Sequence, residues 1–173
     1  MGATAIPLNE AMKSAKMMKS ICEVIIIRNN QKLGLGFFLK YSESNKYLII
    51  TKKETNSNKL NENEDIEIKG LKDKKIKLNL QNRFIKYIPS YKNLIIIEIK
   101  DSDELDKYFE FLDYQIIDHR VEIILIKNPF NNQPLSIKGV INSIINEHEF
   151  YHNISVNEDS LGCPIILLNN IIK

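Results

Sequence analysis

The chain has no tryptophan, two cysteines, three histidines, six glycines and five prolines in 173 residues. Each scarcity excludes something. Two cysteines, Cys22 and Cys163, cannot form a disulfide framework, and in a lysine-rich sequence without a secretory signal they point to a reducing, cytoplasmic setting. Three histidines, His119, His148 and His152, come without a Cys/His cluster or a His-Glu-x-x-His string, so neither a metal nor a cofactor is expected. No apolar run reaches the length of a membrane span, and "MGATAIPLNEAMKSAKMMKS" lacks the continuous apolar core of a signal peptide. Gly2 does not make a myristoylation signal, because Ile6 stands where that motif needs Ser or Thr. A formal net charge of +2 gives no global field to hold nucleic acid or an anionic membrane, so neither partner is expected.

What is present is ample for folding. At 43% hydrophobic the chain can bury a core without staples. Residues 9 to 19 predict a short amphipathic helix or arm, with Ala11, Met12, Ala15, Met17 and Met18 partly on one side. From Ser20 onward, short runs of Ile, Val, Phe and Tyr alternate with Gly, Pro, Asn, Asp and Lys clusters, the pattern of an antiparallel all-β chain. Strands are predicted at "CEVIIIRN" (22–29), "LGLGFFLKY" (33–41), "KYLIITKK" (46–53), "DIEIKG" (65–70), "KKIKLNL" (74–80) and "NLIIIEIK" (93–100). The polar stretch "DSDELDKYFEFLDYQ" predicts one short helix or turn and divides two strand-rich halves. The second half offers "VEIILIKN" (121–128), "LSIKGVINSII" (135–145), "EFYHNISV" (149–156) and "PIILLNN" (164–170). The expected fold is therefore all-β, two packed antiparallel barrels of the six-stranded type, because closure removes exposed strand edges. The expected divisions are an arm or helix at 1–19, a first barrel at 20–100, a linker at 101–118 and a second barrel at 119–173.

Several strings in this order resemble the trypsin-like (chymotrypsin-fold) serine peptidases of the PA clan, over about Ser20 to Lys173. "SICEVIII" followed by "LGLGFFLKY" is similar to that family's opening hairpin, with Gly34 and Gly36 where the second strand bends. "YLIITKKET" resembles the "LITAAH" stretch that presents the general-base histidine, and the alignment puts Glu54 at that position. "NLIIIEIK" resembles the strand after the orienting aspartate, with Asn93 in its place. "DSLGCPI" resembles "GDSGGP", and Leu161 falls on the serine. The family follows this turn with a further strand, so a chain ending at Lys173 is expected to have a second barrel short or incomplete at that end.

The resemblance thus implies a peptidase fold without its triad. A serine hydroxyl attacks a carbonyl only when an imidazole takes its proton and an acceptor holds that imidazole. Leucine has no proton to give. The leading expectation is a catalytically inactive domain, a pseudopeptidase that binds a protein or peptide partner. Two other readings stand beside it. One is an enzyme with a displaced nucleophile, Ser160 or Cys163, although either atom would be moved out of reach of the oxyanion donors. The other is a nucleic-acid-binding barrel using "KGLKDKKIKLNL" with Tyr87 and Tyr91 as stacking platforms, against which Asp and Glu interleave in the preceding "NENEDIEIKG". Asn153-Ile154-Ser155 is a formal glycosylation sequon in a predicted strand, where sugar is not expected.

Overall fold

The computed structural model describes residues 8–52, 60, 63–70, 74–88, 94–114, 121–127, 130, 135–146, 149–155 and 163–167. One helix, α1 (Leu8–Ser20), opens it. Its sequence is mostly Leu, Ala, Met, Lys and Glu, good helix formers, with no Gly or Pro, and Ser20 Oγ donates to the Met17 carbonyl at 2.7 Å to finish its last turn. The buried stripe is only part of the one the sequence pattern suggested. Met12 is 67% exposed and Ala11 and Ala15 face solvent, whereas Met17 and Ser20 are fully buried. The inward face is therefore the one that carries Met17.

Seven strands follow in the first sheet: β1 (Ile21–Ile26), β2 (Gln31–Ser42), β3 (Asn45–Lys52), β4 (Asp65–Gly70), β5 (Lys75–Asn79), β6 (Ile85–Ile88) and β7 (Leu94–Ile99). Their spatial order is β5-β4-β1-β2-β3-β7-β6, every neighbour antiparallel. The two ends of that order, β5 and β6, are consecutive in sequence and joined by the five residues 80 to 84. Laid flat, seven strands at about 4.8 Å spacing would separate them by roughly 29 Å, while six residue steps reach at most about 21 Å. The sheet must curl.

β4 and β7 each alternate half-buried and buried residues, so their inner faces meet across the curl. Sixteen residues form the resulting core cluster, among them Phe38, Leu48, Ile50, Ile66, Ile68 and Ile97. Gly36 sits opposite Cys22 on one side and Ile50 on the other. A Cβ there would lie 2.7 Å from the Ile49 carbonyl oxygen, so only glycine permits this approach of β2 to β3.

The seam is fastened by Arg83. Asn82 takes a left-handed φ of 57° just before it, turning the chain back. Arg83 then donates Nε to the Asn79 carbonyl (2.7 Å), Nη1 to the Glu98 carbonyl (3.2 Å), and both Nη atoms to Asp103 (2.6 and 2.5 Å). One side chain ties the end of β5 to β7 and to the turn beyond it. Both partners are under 10% exposed, at 7% and 9%.

Residues 101–114 do more than connect the halves. Two 3₁₀ turns (Asp101–Asp103 and Leu105–Lys107) and the short strand β8 (Leu112–Asp113) lay Leu105, Phe109 and Phe111 over the first core. Phe109 and Phe111 meet the Phe38 ring at centroid distances of 4.6 and 5.1 Å. β8 joins β2 in parallel, with Leu112 beside Leu39, the one parallel pairing among the described strands. The segment is a lid.

The second sheet has the order β11-β10-β9-β12, built from β9 (Glu122–Lys127), β10 (Leu135–Asn146), β11 (Glu149–His152) and β12 (Ile165–Leu167). β9 is buried on both faces. Ile123 and Leu125 join Val121, Ile141 and Ile154 on one side, while Ile124 and Ile126 meet Met17 and Ile21 on the other. Helix α1 is thus the layer between the two sheets. Ser14 Oγ and Ser136 Oγ share a short hydrogen bond, and Lys13 Nζ reaches the Leu167 carbonyl at 3.5 Å, so polar groups reinforce the same contact.

Candidate functional site

Glu54, Asn93, Ser160 and Leu161 lie outside the described residues, but the elements that lead to them are described. β3 runs as far as Lys52 and β7 starts at Leu94. Thr51 pairs with Leu94, so the chain leaves β3 and enters β7 at the same end of one strand pair. The two segments carrying positions 54 and 93 therefore begin side by side. The third leads into β12, and its first described residue is Cys163.

Cys163 is the one predicted site residue with a described environment. It is half-buried between two apolar clusters, one holding Met17, Ile21 and Ile126 and the other Ile123, Leu125 and Ile141. Burial pushes its thiol up to about 12. A thiol with that value is protonated at neutral pH, and the thiolate is the nucleophile. Cys163 packs as a small hydrophobe joining α1 to the second sheet. Cys22 is fully buried in the first core, where burial and then the charge of Glu23 hold its thiol well above the usual range.

The residues that follow β11, Asn153 and Ile154, are anchored to β10. After β11, Asn153 Oδ1 accepts the Val140 N–H at 2.8 Å and the Asn153 N–H donates to the Val140 carbonyl at 3.2 Å. Ile154 then drops over Gly139, where a Cβ would collide with the Ile154 side chain and with Asn153 Oδ1. His152 faces this strap: its Nδ1 accepts the Ile154 N–H at 3.1 Å, and its ring lies 6.3 Å from that of Phe150. It caps a bend. His119 and His148 lie outside the described residues.

A groove of about 770 Å³ opens elsewhere, between the end of α1 and the lid. Its floor is Met18, Ile21 and Phe109, and Lys19, Lys74 and Lys107 share its rim with Asp106 and Glu110, so the charges nearly cancel. Lys74 sits over the Tyr108 ring at 4.1 Å, and Lys107 pairs with Glu104 at 2.8 Å. On β4 and β5 the lysines of the predicted basic stretch are also partnered: Lys77 reaches Asp65 at 3.0 Å and Lys75 reaches Glu67 at 4.0 Å. Tyr91 lies outside the described residues. Among the described residues no three His, Cys, Asp or Glu side chains are grouped to hold a metal, and no helix is long and apolar enough to cross a membrane.

Sequence reasoning missed Arg83 and Asp103. The signal was weak, because an arginine in a turn and an aspartate in a polar stretch are separated by two strands' worth of chain. Their partnership depends on the curl.

The chain shares its fold with solved structures. It is similar to the crystal structure of the serine endoprotease from Yersinia pestis, with a TM-score of 0.60 and 13% identity over 94% of this chain and 55% of that one. It is also similar to the crystal structure of Deg5, with a TM-score of 0.54 and 14% identity over 95% of this chain and 83% of that one. The chain therefore spans about half the length of the Yersinia protein. At such identities the likeness concerns the fold: an all-β, trypsin-like arrangement of two barrel-type sheets, as found in serine endoproteases. No family model matches the chain, and no curated protein matches it in sequence.

Proposed function

We propose that the chain is a catalytically silent trypsin-like domain that acts by binding a protein or peptide. One observation carries the reading: in a chain with the fold of serine endoproteases, the string "DSLGCPI" resembles the peptidase turn "GDSGGP", and that resemblance puts Leu161 at the serine's position. Leucine offers no atom that can attack a carbonyl. The protonated, packed thiol of Cys163 argues against a nucleophile displaced toward the strand. Glu54 and Asn93 at the base and orienting positions support the same reading, since a neutral amide cannot stabilise an imidazolium and no imidazole is there to stabilise. Pairing of an extended peptide with a sheet edge rests on main-chain hydrogen bonds and needs no catalytic group, so binding is compatible with a missing triad.

The test has a chemical arm and a binding arm. Folded protein treated with a fluorophosphonate and, separately, with iodoacetamide is expected to remain unlabelled at Ser160 and Cys163 by mass spectrometry. Selective labelling of either would restore the enzyme reading. A panel of extended fluorescent peptides, read by polarisation and then by chromatography, is expected to yield members that bind saturably and stay uncut. Cleavage of a bound peptide removes the silent half of the proposal, and a panel without saturable binding removes the other half. Leu161→Ser alone is expected to leave casein hydrolysis at background, because the new hydroxyl would still lack a base.

A further inference from the structure

Among the described strands, the far part of β10 pairs with β11 alone. Beyond the buried Ile141, residues 142 to 146 of β10 are all exposed, and so are Glu149 and Tyr151 on β11. Ile144, Ile145 and Tyr151 are 38%, 49% and 63% exposed. Ile144 and Ile145 sit at an irregularity in the β10–β11 pairing, and both leave apolar surface exposed there. A two-stranded ribbon is marginal in water by itself. β11 is also an end of its sheet, paired to β10 on one side only among the described strands.

The edge of one other strand is protected by charge. β5, at one end of the first sheet's strand order, carries Lys75 and Lys77 on its exposed positions, a usual defence against pairing with a second chain. β11 reads Glu-Phe-Tyr-His and has no lysine.

We propose that β11 is a self-association edge, pairing antiparallel with β11 of a second copy of this chain about a two-fold axis at Tyr151. A two-fold axis perpendicular to the sheet brings together residues of the same face, so the partners differ by an even number of positions. Centred on Tyr151, the register sets Tyr151 against Tyr151 and Phe150 against His152 within the four-residue strand. No like charges meet, and two kinds of aromatic cross-strand pair form, an arrangement that stabilises antiparallel ladders. The strand is complementary to itself, and a net charge of +2 leaves the two copies with little mutual repulsion.

Sedimentation equilibrium of the full chain over about 1 to 200 µM is expected to show a reversible dimer. Tyr151→Lys, at an exposed position, is expected to leave the circular dichroism and melting profile unchanged and to weaken the dimer at least tenfold. The register gives a sharper test. Residues facing each other across antiparallel strands have Cα atoms about 4.5 to 5.5 Å apart, inside the range a disulfide spans. Tyr151→Cys is therefore expected to cross-link to a dimer under mild oxidation, whereas Lys138→Cys, exposed at the base of β10, is not. A wild-type chain that is monomeric throughout, a dimer indifferent to Tyr151→Lys, or equal cross-linking of the two cysteine variants would each overturn the proposal. These readouts are independent of peptide binding, so the proposal stands or falls apart from the silent-domain reading.

Discussion

The two sheets reach stability by different routes. The first closes around its own core: consecutive strands at the ends of its strand order force the curl, one glycine permits it, and the Arg83–Asp103 pair fastens it. The second leans on a neighbour. Its central strand β9 has one face under Ile141 and Ile154 and the other under α1, so its packing is completed by a helix that precedes the first sheet in the chain. The lesson is that a sheet able to wrap itself needs a fastener, while a smaller one needs a cover.

The sharpest way to break this comparison is to undo the fastener. Arg83→Ala leaves Asp103 charged, nearly buried and without its bidentate partner, which is expected to cost about 3–5 kcal/mol in urea denaturation. A loss below about 1 kcal/mol would mean that the seam closes without it. The pair also predicts a pH dependence. Burial alone would raise the Asp103 carboxyl, but the hydrogen bonds and charge of Arg83 and the Lys100 N–H outweigh it and hold the carboxyl below its ordinary value of 3.8. A depressed carboxylate stabilises the fold above its unfolded value and loses that contribution as pH falls through its lower folded value. Acid titration below about pH 4 should therefore weaken the wild type through this group, and Asp103→Asn should remove that part of the slope.

Removing the cover comes next. Met17→Ala empties a fully buried site between α1 and β9 and is expected to cost about 2–5 kcal/mol. Hydrogen exchange should localise the loss: the amides of Ile124 and Ile126 lose protection while those of Ile66 and Ile97 keep theirs. Equal loss in both sheets would show that the two fold as one unit and would erase the distinction.

Gly36→Ala tests the curl from inside. The new methyl meets a backbone carbonyl that cannot rotate away, so a cost of about 1–3 kcal/mol is expected. Gly139→Ala should cost less, because its obstacles are side-chain atoms of Ile154 and Asn153 rather than a backbone carbonyl. The reverse order would contradict the view that the first sheet is the more constrained. The smallest effect belongs to the surface of β4 and β5. Lys77→Ala breaks an exposed pair with Asp65 and should change stability by under about 1 kcal/mol, by an amount that shrinks further in high salt.

Much of the architecture was legible in local pattern. Ten predicted strand segments coincide with β1 to β5, β7 and β9 to β12, because period-two alternation and β-branched residues report a pleated, half-buried surface directly. β6 and β8 were not predicted. "IKYI" is short, with Lys86 and Tyr87 exposed, and "LD" is a two-residue strand whose pairing with β2 comes only from the lid's return over the core. "VEIILIKN" did carry a further signal. Its unbroken apolar run is how a strand covered on both faces reads, in contrast to the alternation of "DIEIKG".

The sequence by itself determined the strand order along the chain, the glycines of the second strand, and the absence of a hydroxyl at Leu161 in a string that resembles a peptidase turn. These depend on residue type and spacing, which are local. Only the tertiary structure decided that α1 turns Met17 rather than Met12 inward, that Arg83 finds Asp103, and that Cys163 is packed with its thiol protonated. Each of these is set by which surface arrives from a distant part of the chain. A helix with apolar residues on several sides has no inner face until a sheet covers one, and a thiol's acidity follows from how much water its neighbours exclude.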